Sequence, residues 1–153
     1  MLQVDKKAPA ISLLDGEGKK RTLKEFLGKK IVLYFYPKDM TPGCTTESCD
    51  FRDALPNFSK LDAVILGVSP DPVERHKRFA EKYDLPFTLL SDENKVVLEK
   101  YGVWQEKNNY GRKYMGVVRT TVIIDEKGIV RKIYPKVKVG GHVAQVYSFL
   151  KEL

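Results

Sequence analysis

Cysteine is scarce in this chain: Cys44 and Cys49 are the only two among 153 residues. They are not arranged as C-x-x-C, which argues against a thioredoxin-like disulfide reductase. The two histidines, His76 and His142, lie far apart with no cysteine at ligand spacing, so no zinc site is expected. No run of about 18 apolar residues occurs, so no membrane span is expected. The start, MLQVDKKAPAISLL, lacks the basic, apolar and small-residue segments of a signal peptide, and the expected location is the cytoplasm. There both cysteines would rest as thiols, and a disulfide between them would be transient. No repeat, low-complexity tract or linker breaks the sequence. A single domain, 1–153, is expected, large enough to bury a core without staples.

Charge is plentiful but not concentrated. Lys and Arg number 27 against 20 Asp and Glu, for a net charge of +7. The basic residues are scattered and interleaved with acids, as in VERHKRFAEKYD, which reads as a solvated surface and not as a nucleic-acid footprint. The densest basic piece, 131-RKIYPKVK-138, alternates with apolar residues as a half-exposed strand does. Abundant lysine with glutamate is a faint pointer to heat adaptation.

Ile31–Tyr36 (IVLYFY) and Ala63–Ser69 (AVILGVS) are continuous apolar runs rich in β-branched and aromatic residues, and read as buried strands. Asp71 and Pro72 predict a helix start, with Asp71 as N-cap, running to about Tyr83. Thr88–Leu90 reads as a short strand. Ser91 or Asp92 then caps a helix that Gly102 stops. TTVIID and IVRKIY flank Glu126-Lys127-Gly128 and predict a hairpin, with Gly128 at positive φ. Another hairpin is read in ISLLDGEGKKRTL, and a closing helix from about His142 to Leu150. The expected fold is α/β, with a central mixed sheet covered on both faces and an N-terminal β-hairpin. Sites in such sheets form at the carboxyl ends of parallel strands, and the segment after IVLYFY lies at one.

That segment is 37-PKDMTPGCTTESCDF-51. Thr41 is read as an N-cap with proline directly after it, and the helix is expected to run until Pro56. Cys44 then sits in the first turn, where unpaired N–H groups and the helix dipole favour a thiolate. A buried, inert cysteine packing as a small hydrophobe is the other reading of that position. Along a helix, Cys44 and Cys49 are separated by roughly 140° and about 7.5 Å of rise, with Cα atoms about 8–9 Å apart. That exceeds the ~7 Å reach of a disulfide. Joining the thiols requires the first turns to unwind. Thr45, Thr46 and Ser48, all poor helix formers, favour local melting.

Pro37, Thr41 and Cys44 form P-x-x-x-T-x-x-C, which resembles the active-site motif of peroxiredoxins. With Cys49 five residues on, the chain resembles the Q-type subfamily, also called bacterioferritin comigratory protein. The similarity extends through ILGVSPDPVERHKRFAEKYDLPFTLLSD and YGVWQEKNNYGRKYMGVVRTTVIIDEKGIV to the last helix. The resemblance implies a thioredoxin-like fold and a thiol-dependent peroxidase acting on hydrogen peroxide and organic hydroperoxides. It implies Cys44 as peroxidatic nucleophile, Cys49 as resolving thiol and an intramolecular disulfide between them. Thr41 would bond peroxide and thiolate through its hydroxyl, and Pro37 would shape and shield the loop. Arg119 would favour the thiolate and orient the peroxide. Glu47 would support Arg119 or the loop. No metal, flavin or haem is implied. With no electron store in the chain, a thioredoxin-like protein must supply reducing equivalents. Because both thiols lie on one helix and the chain ends soon after its last helix, a monomer can complete the cycle, and a monomer is expected.

A redox sensor using the same disulfide as a switch is the alternative function. His76, set among charges, is read as a solvated helix residue, and His142, after Gly140-Gly141, as a cap of the last helix. Trp104, Tyr110 and Tyr114 are read as core or loop packing in preference to a substrate-facing wall. Asp39 and Met40 fall in the active loop without a physical reason for either side chain.

Overall fold

The computed structural model describes residues 2–153. Its core is a seven-stranded sheet in which an inner strand, β3 (Lys30–Phe35), carries most of the apolar run Ile31–Tyr36 read from the sequence. Successive side chains of a strand point to opposite faces. Ile31, Leu33 and Phe35 accordingly enter one apolar cluster, and Val32, Tyr34 and Tyr36 the other. All six are fully buried, each stabilising the fold by about 1.5–3 kcal/mol relative to exposure. A strand buried on both faces needs cover on both, and this is how the helices divide.

One face carries α1 (Pro42–Lys60), α2 (Val73–Lys82) and α4 (His142–Glu152), through Phe51, Phe58, Phe79, Val146 and Leu150. The other is covered by α3 (Val96–Lys100), Tyr101, Val103 and the N-terminal segment at Ile11. β3 pairs in parallel with β4 (Ala63–Ser69), and β4 with β5 (Thr88–Ser91). On its other side β3 pairs antiparallel with β8 (Thr120–Ile124), followed by β9 (Val130–Tyr134). The hairpin of β1 (Ser12–Asp15) and β2 (Lys20–Thr22) closes the opposite edge against β5. This is the mixed, thioredoxin-like sheet expected from the sequence. Gly128 turns the β8–β9 hairpin at φ +85°.

Four local expectations are corrected. The N-cap of α3 is Lys95, at φ +61°, and not Ser91 or Asp92, although the Asp92 carboxylate accepts the Leu98 N–H at 2.7 Å. The N-cap of α2 is Pro72, because the Asp71 carboxylate turns inward to Ser69 Oγ and the Asp39 N–H. Helix α1 does not stop at Pro56: the proline is exposed, and a further turn buries Phe58 completely. Gly141, in the left-handed conformation, caps α4, and His142 is its first residue, buried with Nε2 2.8 Å from Thr121 Oγ1. A two-stranded ribbon, β6 (Trp104–Asn109) and β7 (Arg112–Val117), stands apart from the main sheet and was not foreseen. Its tip, Tyr110-Gly111, has both residues at positive φ. Tyr110 is fully exposed and Tyr114 nearly half exposed; of these three aromatics only Trp104 packs against the core.

Candidate active site

The loop between β3 and α1 emerges from the carboxyl end of a parallel strand. Thr41 is the N-cap of α1 and Pro42 its first residue, as read from the sequence. The Thr41 hydroxyl donates to the Lys38 carbonyl at 2.8 Å, and its own carbonyl accepts the Thr45 N–H at 2.9 Å. Helix geometry therefore leaves the Gly43 and Cys44 N–H groups without intrahelical acceptors. No acidic residue occupies the first turn. The first turn thus adds no negative charge against the positive end of the helix dipole at Cys44.

Cys44, Glu47, Ser48 and Phe51 follow the i, i+3, i+4, i+7 spacing of one helix face, and all four are buried. Cys44 is 1% exposed. Ser48 Oγ lies 2.7 Å from the Tyr34 hydroxyl, and burial holds that phenol well above its ordinary range. Cys49 is off this face and only half-buried. Partial burial pushes its thiol up, with Asp53 and Asp50 adding to the effect against Arg52. Both cysteines are free, on one unbroken helix.

Arg119 comes from far along the chain, and the sheet explains its arrival. In the antiparallel β3–β8 register Phe35 faces Thr120, so the residue just before β8 lies beside the start of the active loop. Its Nη1 donates to Glu47 Oε1 at 2.6 Å, and its Nη2 donates to Cys44 Sγ at 3.3 Å. Gly43 makes room: a Cβ there would stand 3.3 Å from Nη2. Burial opposes the Arg119 charge, but Glu47 and Cys44 outweigh it and hold the guanidinium above its ordinary value. For Glu47 burial wins: its carboxyl is lifted to about 7 against the pull of Arg119. Glu47 Oε2 is buried without a hydrogen-bond partner among the described residues.

Cys44, Thr41, Glu47 and Arg119 are thus brought together, with Pro37 at the head of the same loop. A thiol at a helix N-terminus, touched by a guanidinium, can act as a nucleophile whose leaving group meets positive charge. The matches to known proteins agree with that chemistry. Residues 4–133 match the model of the AhpC/TSA family. Peroxiredoxin Bcp of Bacillus subtilis is 50% identical over 152 residues, covering 99% of this chain and 97% of that protein. Among solved structures, Xylella fastidiosa PrxQ superimposes with a TM-score of 0.94 at 32% identity, over 99% of this chain and 97% of that one. The bacterioferritin comigratory protein of Xanthomonas campestris, described for its alkyl peroxide reduction activity, gives 0.88 at 42% identity, over 93% and 90%.

The chain is a peroxiredoxin of the Bcp/PrxQ type, in the AhpC/TSA family.

This peroxiredoxin also holds a polar cluster that sequence reasoning missed. His76 is completely buried, not solvated. Its Nδ1 lies 2.6 Å from Asp39 Oδ2, and its Nε2 donates to the Leu90 carbonyl at 3.0 Å. Asp39, Asp71 and His76 bring ligand-type atoms within 4.8 Å of one another. Those atoms are engaged by Tyr36, Ser69, Arg75, the Asp39 N–H, Leu90 and each other. The carboxylates and the imidazole are thus engaged with protein groups, Arg75 Nε reaching Asp71 Oδ1 at 3.3 Å as an ion pair and not as a hydrogen bond. The hint in the sequence was an aspartate in the loop and a histidine on a charged helix, 37 residues apart, with nothing to pair them.

Proposed function

We propose that Cys44 is the peroxidatic nucleophile of this peroxidase and Cys49 its resolving thiol, with hydrogen peroxide and organic hydroperoxides as substrates. The observation that carries the reading is the Arg119 guanidinium shared between Cys44 Sγ and Glu47. The Cys44 thiolate attacks the nearer peroxide oxygen. An S–O bond forms as the O–O bond breaks, sulfur gives up two electrons, and the leaving oxygen departs as an alkoxide or hydroxide that takes up a proton. Arg119, with the N–H groups of Gly43 and Cys44, faces the charge that develops. The product on Cys44 is a sulfenic acid. Cys49 then attacks that sulfur: the S–S bond forms, the S–O bond breaks, and the hydroxyl leaves as water with the Cys49 proton. A thioredoxin-like dithiol reduces the disulfide by exchange. Pro37 shapes the loop, and the Thr41 hydroxyl, now on the Lys38 carbonyl, lies at the helix start where it can turn to the peroxide. The setting that suits two resting thiols is the cytoplasm, and both cysteines on one helix suit a monomer.

Peroxide consumption with a thioredoxin system tests the assignment. Cys44→Ser should abolish turnover. Cys49→Ser should reduce about one equivalent and then stall, with rescue by a small thiol. Full turnover by Cys44→Ser would refute the reading.

A further inference from the structure

We infer that the buried Asp39–His76 pair is a clamp that seats the peroxide-facing loop and opposes the unwinding needed for disulfide formation. Every polar group of Asp39 is held. Its N–H donates to Asp71 Oδ2 at 2.8 Å, and its carbonyl accepts from Arg75 Nη2 at 3.3 Å. Its Oδ1 accepts from the Tyr36 hydroxyl at 2.5 Å, and its Oδ2 lies 2.6 Å from His76 Nδ1. Both Asp39 and His76 are 0% exposed. The Leu90 carbonyl can only accept, so His76 Nε2 carries a proton, and the ring is fixed at both ends. Hydrogen bonds of this kind, shielded from water and involving a carboxylate, are among the strong ones.

The anchors of this clamp are Asp71, Arg75, His76 and Leu90, on or beside β4, α2 and β5, together with Tyr36 at the end of β3; none lies on α1. The clamp therefore fixes the loop from outside the helix that must move. Met40, directly after Asp39, is held at φ +64°, a conformation that L-residues rarely adopt. Thr41, the N-cap, follows it, and Cys44 sits three residues further on. Seating Asp39 thus sets where α1 begins and how Cys44 meets Arg119. Releasing it has opposite effects on the two halves of the cycle. The thiolate is less well placed for peroxide, and the first turn of α1 leaves its seat more readily to reach Cys49. A general loss of stability would not divide the steps in this way.

The inference rests on the roles proposed for Cys44 and Cys49, and the experiment separates the two. The peroxide step is timed by stopped flow in the Cys49→Ser background. The disulfide step is timed by quench-flow alkylation in protein with both cysteines, using hydrogen peroxide. His76→Gln keeps a hydrogen-bonding group near the position of Nε2 and loses the one facing Asp39 Oδ2; His76→Asn does the reverse. His76→Gln should slow the peroxide step about tenfold and speed disulfide formation several-fold, a size typical of losing one buried hydrogen bond. His76→Asn should return both rates to within about threefold of wild type. Tyr36→Phe, which removes one donor to the same carboxylate with little change in volume, should shift both rates in the same directions as His76→Gln, by less. Equal behaviour of the Gln and Asn variants, a parallel slowing of both steps, or no change in either would overturn the clamp. A wild-type protein that forms no Cys44–Cys49 disulfide would overturn the clamp and the proposed roles together.

Discussion

Arg119 spends one nitrogen on Glu47 and the other on the sulfur of Cys44. A planar, two-pronged cation can satisfy both; a lysine, as a point charge, cannot. Arg119→Met should lower the second-order rate of peroxide reaction about a hundredfold, the usual cost of removing a donor aimed at developing charge. Arg119→Lys should recover part of that loss and remain about tenfold below wild type, measured by stopped flow on the reduced protein. Equal rates for Arg, Lys and Met would remove the guanidinium from the chemistry. Glu47 adds a pH signature. Its ordinary value of 4.5 is raised to about 7, chiefly by burial. Between those values the folded chain holds a proton that the unfolded chain releases. The stability this group contributes is whole below about pH 4.5 and lost as pH rises through about 7. Urea midpoints of the wild type, relative to Glu47→Gln, should therefore fall across that window. Parallel pH profiles would show that Glu47 does not titrate there.

At the scale of elements, the first turns of α1 carry the conformational burden. The structure has the helix intact, and ideal helix geometry then keeps the Cα atoms of Cys44 and Cys49 about 8–9 Å apart. Thr45 and Thr46 lie between them, and the Thr46 hydroxyl donates back to the Pro42 carbonyl at 3.0 Å, a local bond that competes with regular helix. Replacing both with alanine should strengthen these turns and slow Cys44–Cys49 closure by about threefold to tenfold, while leaving the peroxide step largely unaffected. Faster closure in that variant would contradict an unwinding step. How legible an element was depended on what holds it. β4 was read to the residue, because a strand buried on both faces is a continuous apolar word. Pro56 misled because burial of Phe58 outweighs a local break. The β6–β7 ribbon escaped notice because its residues are mostly exposed and polar, so no alternation marks it. His76 was misjudged because its neighbours in sequence are charged, while its partners, Asp39 and the Leu90 carbonyl, lie 37 and 14 residues away.

On the scale of the whole molecule, the mixed sheet is what assembles the site. Parallel pairing of β3 with β4 puts the Cys44 loop and the Asp71–His76 segment at the same end of the sheet. Antiparallel pairing with β8 brings Arg119 to that end from 75 residues away. Motif residues close in sequence to Cys44 were legible from chain order; the contact with Arg119 followed only from resemblance, since no local pattern encodes a cross-strand register. Both proposed redox partners lie within one helix, so one copy of the chain should complete the oxidative half of the cycle. The most direct test is mass spectrometry of reduced protein given one equivalent of hydrogen peroxide, with alkylation before digestion. The predicted result is an intramolecular Cys44–Cys49 disulfide, with loss of two hydrogens and no covalent dimer. A stable sulfenic acid on Cys44 beside a free Cys49, or a disulfide joining two chains, would contradict it.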